Sequence, residues 1–266
     1  MTMIFGIILL KFSIMLKEGN VMPKFFVKNN QITGDKISII GEDVNHIINV
    51  LRMKKDDEIM VCDSDNGINY LSNIIEFDKA HICCKIKEKL EESNESNINL
   101  TLFQGIPKFD KMELIIQKCT EIGVKSIVPV EMIRCIAKVK DNKKIDRWNK
   151  IAQIASKQSL RDIIPEVSNP IKVGELIEKS KDYDLILVAY EKEEKNTLKK
   201  ELKKFKDKEN LKIGIIIGPE GGIEKSEIEI LKKLDNVKIV TLGKRILRTE
   251  TAGLVLACNI IYELEL

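Results

Sequence analysis

Beyond residue 98, short apolar runs alternate along the chain with longer segments of helical periodicity. The apolar runs are four to six residues long and lie at 100–103, 126–130, 185–189, 212–217 and 237–242. The segments between them repeat apolar side chains every three to four residues, as Met112, Ile115 and Cys119 do. These predicted helices lie at 111–122, 143–160, 196–208, 226–234 and from about 251. Strands that alternate with helices favour a parallel sheet covered on both faces, so we predict an α/β fold for this part of the chain.

The first part of the chain has a different pattern, dominated by short β-type runs. Runs at 36–40, 58–62 and 81–86 are separated by turn-forming residues, and one amphipathic helix begins near residue 41. A polar stretch at 91–97 is the best linker in the sequence. We therefore predict a small β-barrel domain at 22–95, an α/β domain at 96–266, and an N-terminal extension at 1–21.

Composition narrows the class of protein but does not identify its partner. Charged residues make up 32% of the 266 residues, yet the formal net charge of +3 is too small to indicate a nucleic-acid partner by itself. The six cysteines are scattered and form no CxxC pair, which predicts reduced thiols and no metal site. Reduced thiols favour a cytoplasmic protein.

The N-terminal residues do not predict a targeting or membrane segment. The apolar run at 3–10 is too short to span a bilayer, and it lacks the basic start of a signal peptide. Met22 follows a Lys-Glu-Gly stretch that purine-rich codons can encode, as in a bacterial ribosome-binding site. We therefore hypothesise that translation starts at Met22.

A glycine-rich loop, Gly218-Pro219-Glu220-Gly221-Gly222, follows the predicted strand 212–217. Ligands of open α/β sheets bind beyond the carboxyl ends of strands, and glycines let backbone approach a ligand closely. The loop alone also fits an ordinary tight turn. It lacks the P-loop and dinucleotide fingerprints, and carboxylates such as Glu224 and Glu227 open the next predicted helix, where a phosphate would otherwise bind. The sequence therefore favours a nucleoside ligand without phosphates, such as S-adenosylmethionine.

A second candidate segment, LGKRILRTETAG at 242–253, connects the last predicted strand to the last predicted helix. Thr249 or Thr251 can cap that helix, and Glu250 suits the positive end of its dipole. Capping does not explain Arg248, because a positive charge at a helix N-terminus is unfavourable unless something offsets it. We therefore single out Arg248 as a functional residue.

These two segments, in this order near the C-terminus, resemble the knotted SPOUT methyltransferases, and specifically the ribosomal small-subunit RNA uridine-N3 methyltransferases (RsmE type). The resemblance extends from about Met22 to the end of the chain. Further matching positions are HIINVLRM at 46–53, KME at 111–113, Lys118, EIGV at 121–124, Arg134, Cys135, Gln158, Arg161 and Pro165.

The resemblance implies an α/β SPOUT domain with a deep trefoil knot, preceded by a PUA-like β-barrel that binds RNA. It also implies a homodimer, S-adenosylmethionine as methyl donor, and 16S ribosomal RNA or the assembled small subunit as substrate. The cofactor-binding residues that it implies are Ala189, Ile217, Gly218, Pro219, Glu220, Gly221, Gly222, Leu242, Gly243, Ile246 and Leu247. The RNA-binding residues that it implies are Arg52, Lys111, Arg134, Gln158 and Arg161.

The implied reaction needs a group that favours the uracil anion, because N3 becomes nucleophilic only as its proton leaves. We predict that Arg248 stabilises negative charge on a uracil oxygen, and that Glu121 is a candidate proton acceptor.

Two other classes of function remain open. The segment 134–161 carries nine basic and two acidic residues, so a non-catalytic RNA-binding assembly factor would also fit the sequence. A Rossmann-type nucleotide enzyme is the third class, disfavoured by the missing phosphate fingerprints.

Overall fold

The computed structural model describes residues 22–139 and 141–265, together with the backbone of 16–17 and 20–21. The chain divides into two compact units, residues 1–94 and 95–266. The hypothesis that translation starts at Met22 concerns the segment before it, most of which lies outside the described residues.

The first unit is built on a six-stranded mixed sheet. The strands of this unit are β1 (Leu16–Lys17), β2 (Asn20–Val21), β3 (Lys24–Val27), β4 (Ile32–Thr33), β5 (Lys36–Ile40), β6 (Glu58–Asp63), β7 (Ile68–Phe77) and β8 (His81–Leu90). The sheet order is β3-β6-β7-β8-β5-β4, with β3 and β6 parallel and the other neighbours antiparallel, while β1 and β2 pair separately. Period-two alternation places Ile37 and Ile39 of β5 in the core with Ile59, Ile74 and Ile82.

The amphipathic helix expected near residue 41 forms as two short pieces. An α-helical turn, α1 (Glu42–Asn45), is followed by a π-helical turn at His46–Val50. Val44 and Ile47 supply its buried face. Arg52 follows with a positive φ of 54°, and its side chain is exposed. A π-turn is uncommon and occurs often at functional sites.

The second unit is an α/β sandwich around a parallel sheet. Its strands are β9 (Asn99–Gly105), β10 (Ser126–Glu131), β11 (Glu166–Val167), β12 (Ile171–Lys172), β13 (Leu185–Ala189), β14 (Lys212–Ile217) and β15 (Val237–Val240). Its helices are α2 (Lys111–Ile122), α3 (Asn142–Gln158), α4 (Val173–Ser180), α5 (Leu198–Leu202), α6 (Lys225–Leu231) and α7 (Thr249–Leu264). The sheet order is β11-β10-β9-β14-β13-β15, with β12 also on β10, and each described pairing is parallel.

Both faces of this sheet are covered, which confirms the α/β prediction. On β9, Leu100 and Leu102 join a cluster with Trp148 of α3 and Leu256 of α7, whereas Phe103 joins the cluster on the opposite face. Strands buried on both faces explain why the predicted strands are continuous apolar runs. No described helix is long and apolar enough to cross a membrane.

The sequence overestimates one helix and misses a small region. The helix expected at 196–208 is an α-helix only over Leu198–Leu202, followed by a 3-10 turn at Lys203–Phe205. Thr197 caps its start, but lysines at positions four apart, such as Lys199 and Lys203, repel one another and weaken its continuation. The short elements β11, β12 and α4 were not predicted; β11 and β12 have only two residues each and therefore carry little periodicity.

Candidate active site

A cavity of about 500 Å³ opens at the carboxyl ends of β13, β14 and β15. Each residue that the resemblance implies for cofactor binding lies in its wall. These residues are Ala189, Ile217, Gly218, Pro219, Glu220, Gly221, Gly222, Leu242, Gly243, Ile246 and Leu247. Three chain segments that are distant in sequence therefore meet at one edge of the sheet, as strand ends do in open α/β folds.

Several wall residues were missed by the sequence reasoning. The wall also contains Tyr190, Glu191, Ile223, Thr241, Lys244, Arg245, Thr249 and Ala252. Tyr190 and Glu191 directly follow β13, so the strand-end rule that located the glycine loop would have found them as well. Ala252 lies in the first turn of α7, and nothing in its local sequence distinguishes it from an ordinary helical alanine.

The glycine loop passes close to neighbouring backbone and side chains. Gly222 has φ of +71° and its N–H donates to the carbonyl oxygen of Pro219 at 2.9 Å, which closes a tight turn. A Cβ at Gly222 would lie 2.9 Å from Oε1 of Glu191. A Cβ at Gly105, the last residue of β9, would lie 2.7 Å from both Cδ and the backbone nitrogen of Pro219. The path of the loop therefore requires glycine at 105, where backbone lies against Pro219, and the positive φ favours glycine at 222.

A buried hydrogen-bond chain holds the start of this loop. Oγ1 of Thr249, the first residue of α7, donates to the carbonyl oxygen of Gly218 at 2.7 Å. Nε2 of Gln104 donates to the same hydroxyl at 2.9 Å. The side chains of Thr249 and Gln104 are buried, so these bonds fix the loop against α7 and β9.

Charged side chains form one rim of the cavity. Nζ of Lys111 lies 3.1 Å from Oε1 of Glu220 and 3.4 Å from Oε2 of Glu250. The hydrogen bond that Lys111 donates to Glu220, together with the negative charges of Glu220 and Glu250, raises the pKa of Lys111. Burial acts to raise the pKa of Glu220, but backbone N–H donors, including that of Lys108, and the Lys111 ammonium outweigh it, so this pKa is lowered. Lys111 thus carries its charge at neutral pH and connects the glycine loop to α7.

Arg248 lies in the cavity wall immediately before α7. Its side chain is 80% exposed, and Nη1 is 4.0 Å from Oε1 of Glu250. Glu250 is therefore the charge that offsets the unfavourable placement of a cation at the helix start. The guanidinium remains free to approach a molecule at the mouth of the cavity.

Arg134, expected to contact RNA, braces the glycine loop. Its Nε donates to Glu224 at 2.6 Å and its Nη1 donates to the carbonyl oxygen of Gly221 at 2.7 Å. The hydrogen bond from Arg134 is the largest cause of the lowered pKa of Glu224. Glu227 extends the brace, because it accepts from the backbone N–H groups of Ile133 and Glu224.

The placement of Arg161 disagrees with the expectation of an RNA contact. Its side chain is only 5% exposed and forms a bidentate pair with Glu95, with Nε and Nη2 at 3.1 and 2.7 Å from the carboxylate oxygens. Nη1 donates to the carbonyl oxygens of Thr120 and Val124. A phosphate cannot reach a guanidinium that is buried and engaged in this way.

The other predicted residues lie outside the cavity wall. Glu121 pairs with Lys118 on α2, ten residues from Lys111, which is roughly 15 Å along a helix axis. The candidate proton acceptor is therefore separated from the cavity of its own chain by most of α2. Gln158 is exposed at the end of α3, and Arg52 is exposed in the first unit.

Comparison with known proteins gives consistent similarities. The profile of an RNA methyltransferase domain matches residues 94–261, and that of an RNA methyltransferase PUA domain matches residues 39–87. The chain is 37% identical to ribosomal RNA small subunit methyltransferase E of Bacillus subtilis (strain 168), over 92% of this chain and 98% of that protein. It is 33% identical to the enzyme of the same name from Mesomycoplasma hyopneumoniae (strain 232), over 90% and 99%.

A solved structure shows the same similarity in three dimensions. The ribosomal RNA small subunit methyltransferase E from Neisseria gonorrhoeae, bound to S-adenosyl methionine, superposes with a TM-score of 0.78 at 30% identity. The match covers 91% of this chain and 97% of that one.

Proposed function

Since the chain belongs to the family of RNA methyltransferases that includes ribosomal RNA small subunit methyltransferase E, we propose that it methylates N3 of a uridine in 16S ribosomal RNA. The methyl donor is S-adenosylmethionine. The observation that carries the proposal is the cavity at the ends of β13, β14 and β15, with Arg248 at its mouth. The proposal includes a cytoplasmic location, which is consistent with a ribosomal RNA substrate.

The residues of the cavity fit this donor. A volume of about 500 Å³ suits a nucleoside-sized ligand. The segments 218–222 and 242–247 lie outside helices and strands, so those of their backbone groups that are not bonded within the protein, as the carbonyl oxygens of Gly218 and Gly221 are, are available to a nucleoside. The carboxylates of Glu191 and Glu220 in the wall suit a cationic ligand. When bound, S-adenosylmethionine supplies an electrophilic methyl group on a sulfonium.

Arg248 has the principal catalytic role in the proposal. Methylation requires loss of the N3 proton to solvent, and the electron pair left on uracil would form the new C–N bond as the bond between the methyl carbon and sulfur breaks and its electron pair returns to sulfur. A guanidinium beside a uracil oxygen stabilises the negative charge that develops there, most effectively where water is excluded. The hydrogen bond between Thr249 and Gly218 holds the glycine loop in place during methyl transfer. Glu121 is not retained as proton acceptor within its own chain, because of its distance from the cavity.

We further propose that the second unit contains a deep trefoil knot. The chain reaches the edge strand β15 and then returns to lay α7 against β14 and β9, where a Cβ at Gly253 would lie 3.6 Å from Ile217 and Leu102. A return across β13 of this kind supports threading of the C-terminal segment. The proposal includes a homodimer and a PUA-like β-barrel at 22–95 that binds RNA through residues such as Arg52. Gln158 and the rim residue Lys111 are the other proposed RNA contacts.

The experiment is methyl transfer to unmodified RNA. Purified protein is incubated with methyl-labelled S-adenosylmethionine and either free 16S RNA or small subunits, and 3-methyluridine is measured by nucleoside mass spectrometry. We expect label in 3-methyluridine, a roughly hundredfold slower reaction with Arg248→Ala, and partial recovery with Arg248→Lys. Lys181→Ala, an exposed charge deletion after α4, is the matched control.

Two outcomes would replace the proposal. Label in another nucleoside would reject uridine N3 as the target. The protein would be a non-catalytic assembly factor if the wild type binds RNA but labels no nucleoside. In that case Gly221→Trp should retain the RNA affinity and the full biological function of the wild type.

A further inference from the structure

Phe109 adopts a backbone conformation that aromatic residues seldom adopt, and its side chain has little packing. It has φ of +54° and is 82% exposed. A left-handed φ suits glycine, asparagine and aspartate and is an outlier for a bulky residue. The other described non-glycine residues with positive φ are Arg52, Asp56, Leu160 and Asn210, so Phe109 is the one aromatic among them. Neither core packing nor backbone preference accounts for a phenylalanine at this position.

Phe109 lies beside the mouth of the cavity because its neighbours are anchored there. The backbone N–H of Lys108 donates to Glu220 of the glycine loop at 3.0 Å, and Lys111 reaches the same carboxylate. Gly105 and the two residues after it are buried, and the chain becomes exposed only at Phe109. Lys111 belongs to the cavity wall and Phe109 does not. The ring therefore stands outside the donor cavity, next to its rim.

We propose that Phe109 is a stacking platform for an unpaired nucleobase adjoining the target uridine, an inference that rests on the proposed function. A target base must leave its stack to reach a buried methyl donor, which leaves the neighbouring base without a partner. Proteins hold such splayed RNA bases on exposed aromatic faces. A ring at the rim, outside the cavity, is positioned for the neighbouring base and not for the base that enters.

The charge around the mouth suits an RNA strand as the occupant. Lys244, Arg245 and Arg248 are exposed on the segment between β15 and α7, which forms another part of the same rim. Cations at this position can contact phosphates that flank a stacked base. A second copy of the chain also carries a net positive charge, +3, so a negatively charged RNA strand is the better electrostatic match.

Three substitutions separate stacking from other roles of Phe109. Phe109→Gly removes the ring and matches the left-handed φ, so it should not lower the unfolding midpoint. It should raise the KM for RNA about tenfold, with the Kd for S-adenosylmethionine unchanged. Phe109→Trp should retain the wild-type KM, whereas Phe109→Leu, which is apolar but has no π-face, should behave like the glycine variant.

Fluorescence gives a direct signature of stacking. Trp148, the single tryptophan of the chain, is fully buried, so its emission serves as a baseline. In Phe109→Trp, the additional emission should be quenched when an RNA oligonucleotide containing the target uridine binds. Tyr262→Trp, exposed thirteen residues along α7 from Thr249, should not be quenched.

The outcomes distinguish this inference from the proposed function. If wild-type protein forms 3-methyluridine and Phe109→Gly has an unchanged KM for RNA, the platform is wrong and the function stands. If wild-type protein forms none, the proposed function fails with the inference. Weaker binding of S-adenosylmethionine by Phe109→Gly would show that the ring takes part in cofactor binding. Dissociation of a dimer by the same substitution, measured by sedimentation, would identify a second copy of the chain as the occupant. Either result overturns the platform.

Discussion

The hydroxyl of Thr249 donates a 2.7 Å hydrogen bond to the carbonyl oxygen of Gly218, a residue 31 positions earlier in the chain. This bond joins the first residue of α7 to the first residue of the glycine loop. Both groups are buried, and Gln104 of β9 donates to the same hydroxyl. A single side chain thereby fixes the distance between two of the segments that line the cavity.

Thr249→Val should weaken binding of S-adenosylmethionine about tenfold. Valine has nearly the same shape but no hydroxyl, so the oxygen of Gly218 loses its buried donor, at a cost of about 1–3 kcal/mol. Thr249→Ser retains the hydroxyl and should bind within about twofold of wild type. Isothermal titration calorimetry measures both affinities, and wild-type binding by the valine variant would show that the bond does not position the loop.

Gly105→Ala should destabilise the second unit and distort the cavity that binds S-adenosylmethionine. The new methyl group would lie 2.7 Å from the backbone nitrogen of Pro219, and backbone cannot move away as a flexible side chain can. We expect the free energy of unfolding to fall by about 1–3 kcal/mol, as in other overpacked sites, with weaker donor binding. Denaturant unfolding and calorimetry measure the two effects.

Gly174→Ala is the matched control for that substitution. Gly174 lies in α4 and a Cβ there would meet nothing within 4 Å. Because alanine is the better helix former, this variant should gain up to about 1 kcal/mol of stability with unchanged donor binding. Equal losses in the two variants would indicate that the close approach to Pro219 is unimportant.

The cavity could be anticipated from sequence because its signals are local. A strand such as β14 is a continuous apolar run, and Gly218 to Gly222 follow it without interruption. The residues that indicate a site at the strand end are therefore adjacent in the sequence. The segment after β15 was also singled out from its own residues, and the resemblance to known methyltransferases then added Ala189 and assigned these segments to cofactor binding. Thr249 was anticipated only as a cap, because its bond to Gly218 depends on a residue distant in sequence.

The surroundings of Arg134 and Arg161 could not be predicted from the sequence. Arg134 and Arg161 belong to a basic segment, which predicts a solvated or RNA-facing charge. Arg161 is instead buried against Glu95, 66 positions away, and against the carbonyl of Val124. Burial of this kind is decided by tertiary neighbours, and the charge pattern around a residue does not report them.

Because of the Arg134–Glu224 pair, the affinity for S-adenosylmethionine should fall at acidic pH. The pKa of Glu224 is lowered in the folded protein, chiefly by the hydrogen bond from Arg134. A carboxyl whose pKa is lowered by folding stabilises the fold above its unfolded pKa, and this contribution is lost as pH falls through the folded pKa. The brace on Gly221 should therefore persist at pH 5 and weaken only as pH falls below the ordinary pKa of a glutamate.

Glu224→Gln provides the comparison for this pH dependence. The variant lacks the charge at every pH, so its affinity for S-adenosylmethionine at pH 7 should fall severalfold, and the difference from wild type should shrink as pH falls below the ordinary pKa of a glutamate. Binding is measured by calorimetry in buffers of matched ionic strength. A difference between the two proteins that stays constant down to the lowest pH at which both remain folded would mean that ionisation of Glu224 does not hold the loop.

Glu95→Gln should destabilise the second unit strongly while leaving RNA recognition intact. The side chains of Arg161 and Glu95 are 5% and 11% exposed, and Glu95 also accepts from the backbone N–H groups of Asp162 and Ile163. Removing the carboxylate charge leaves a buried guanidinium without its counter-ion, which costs about 3–5 kcal/mol. Gln158→Ala, at the exposed last residue of α3 and three residues before Arg161, should show the reverse: unchanged unfolding and weaker RNA binding. Denaturant unfolding and RNA titration at a temperature where both variants remain folded separate the two cases, and a stable Glu95→Gln with reduced RNA affinity would return Arg161 to the RNA-binding surface.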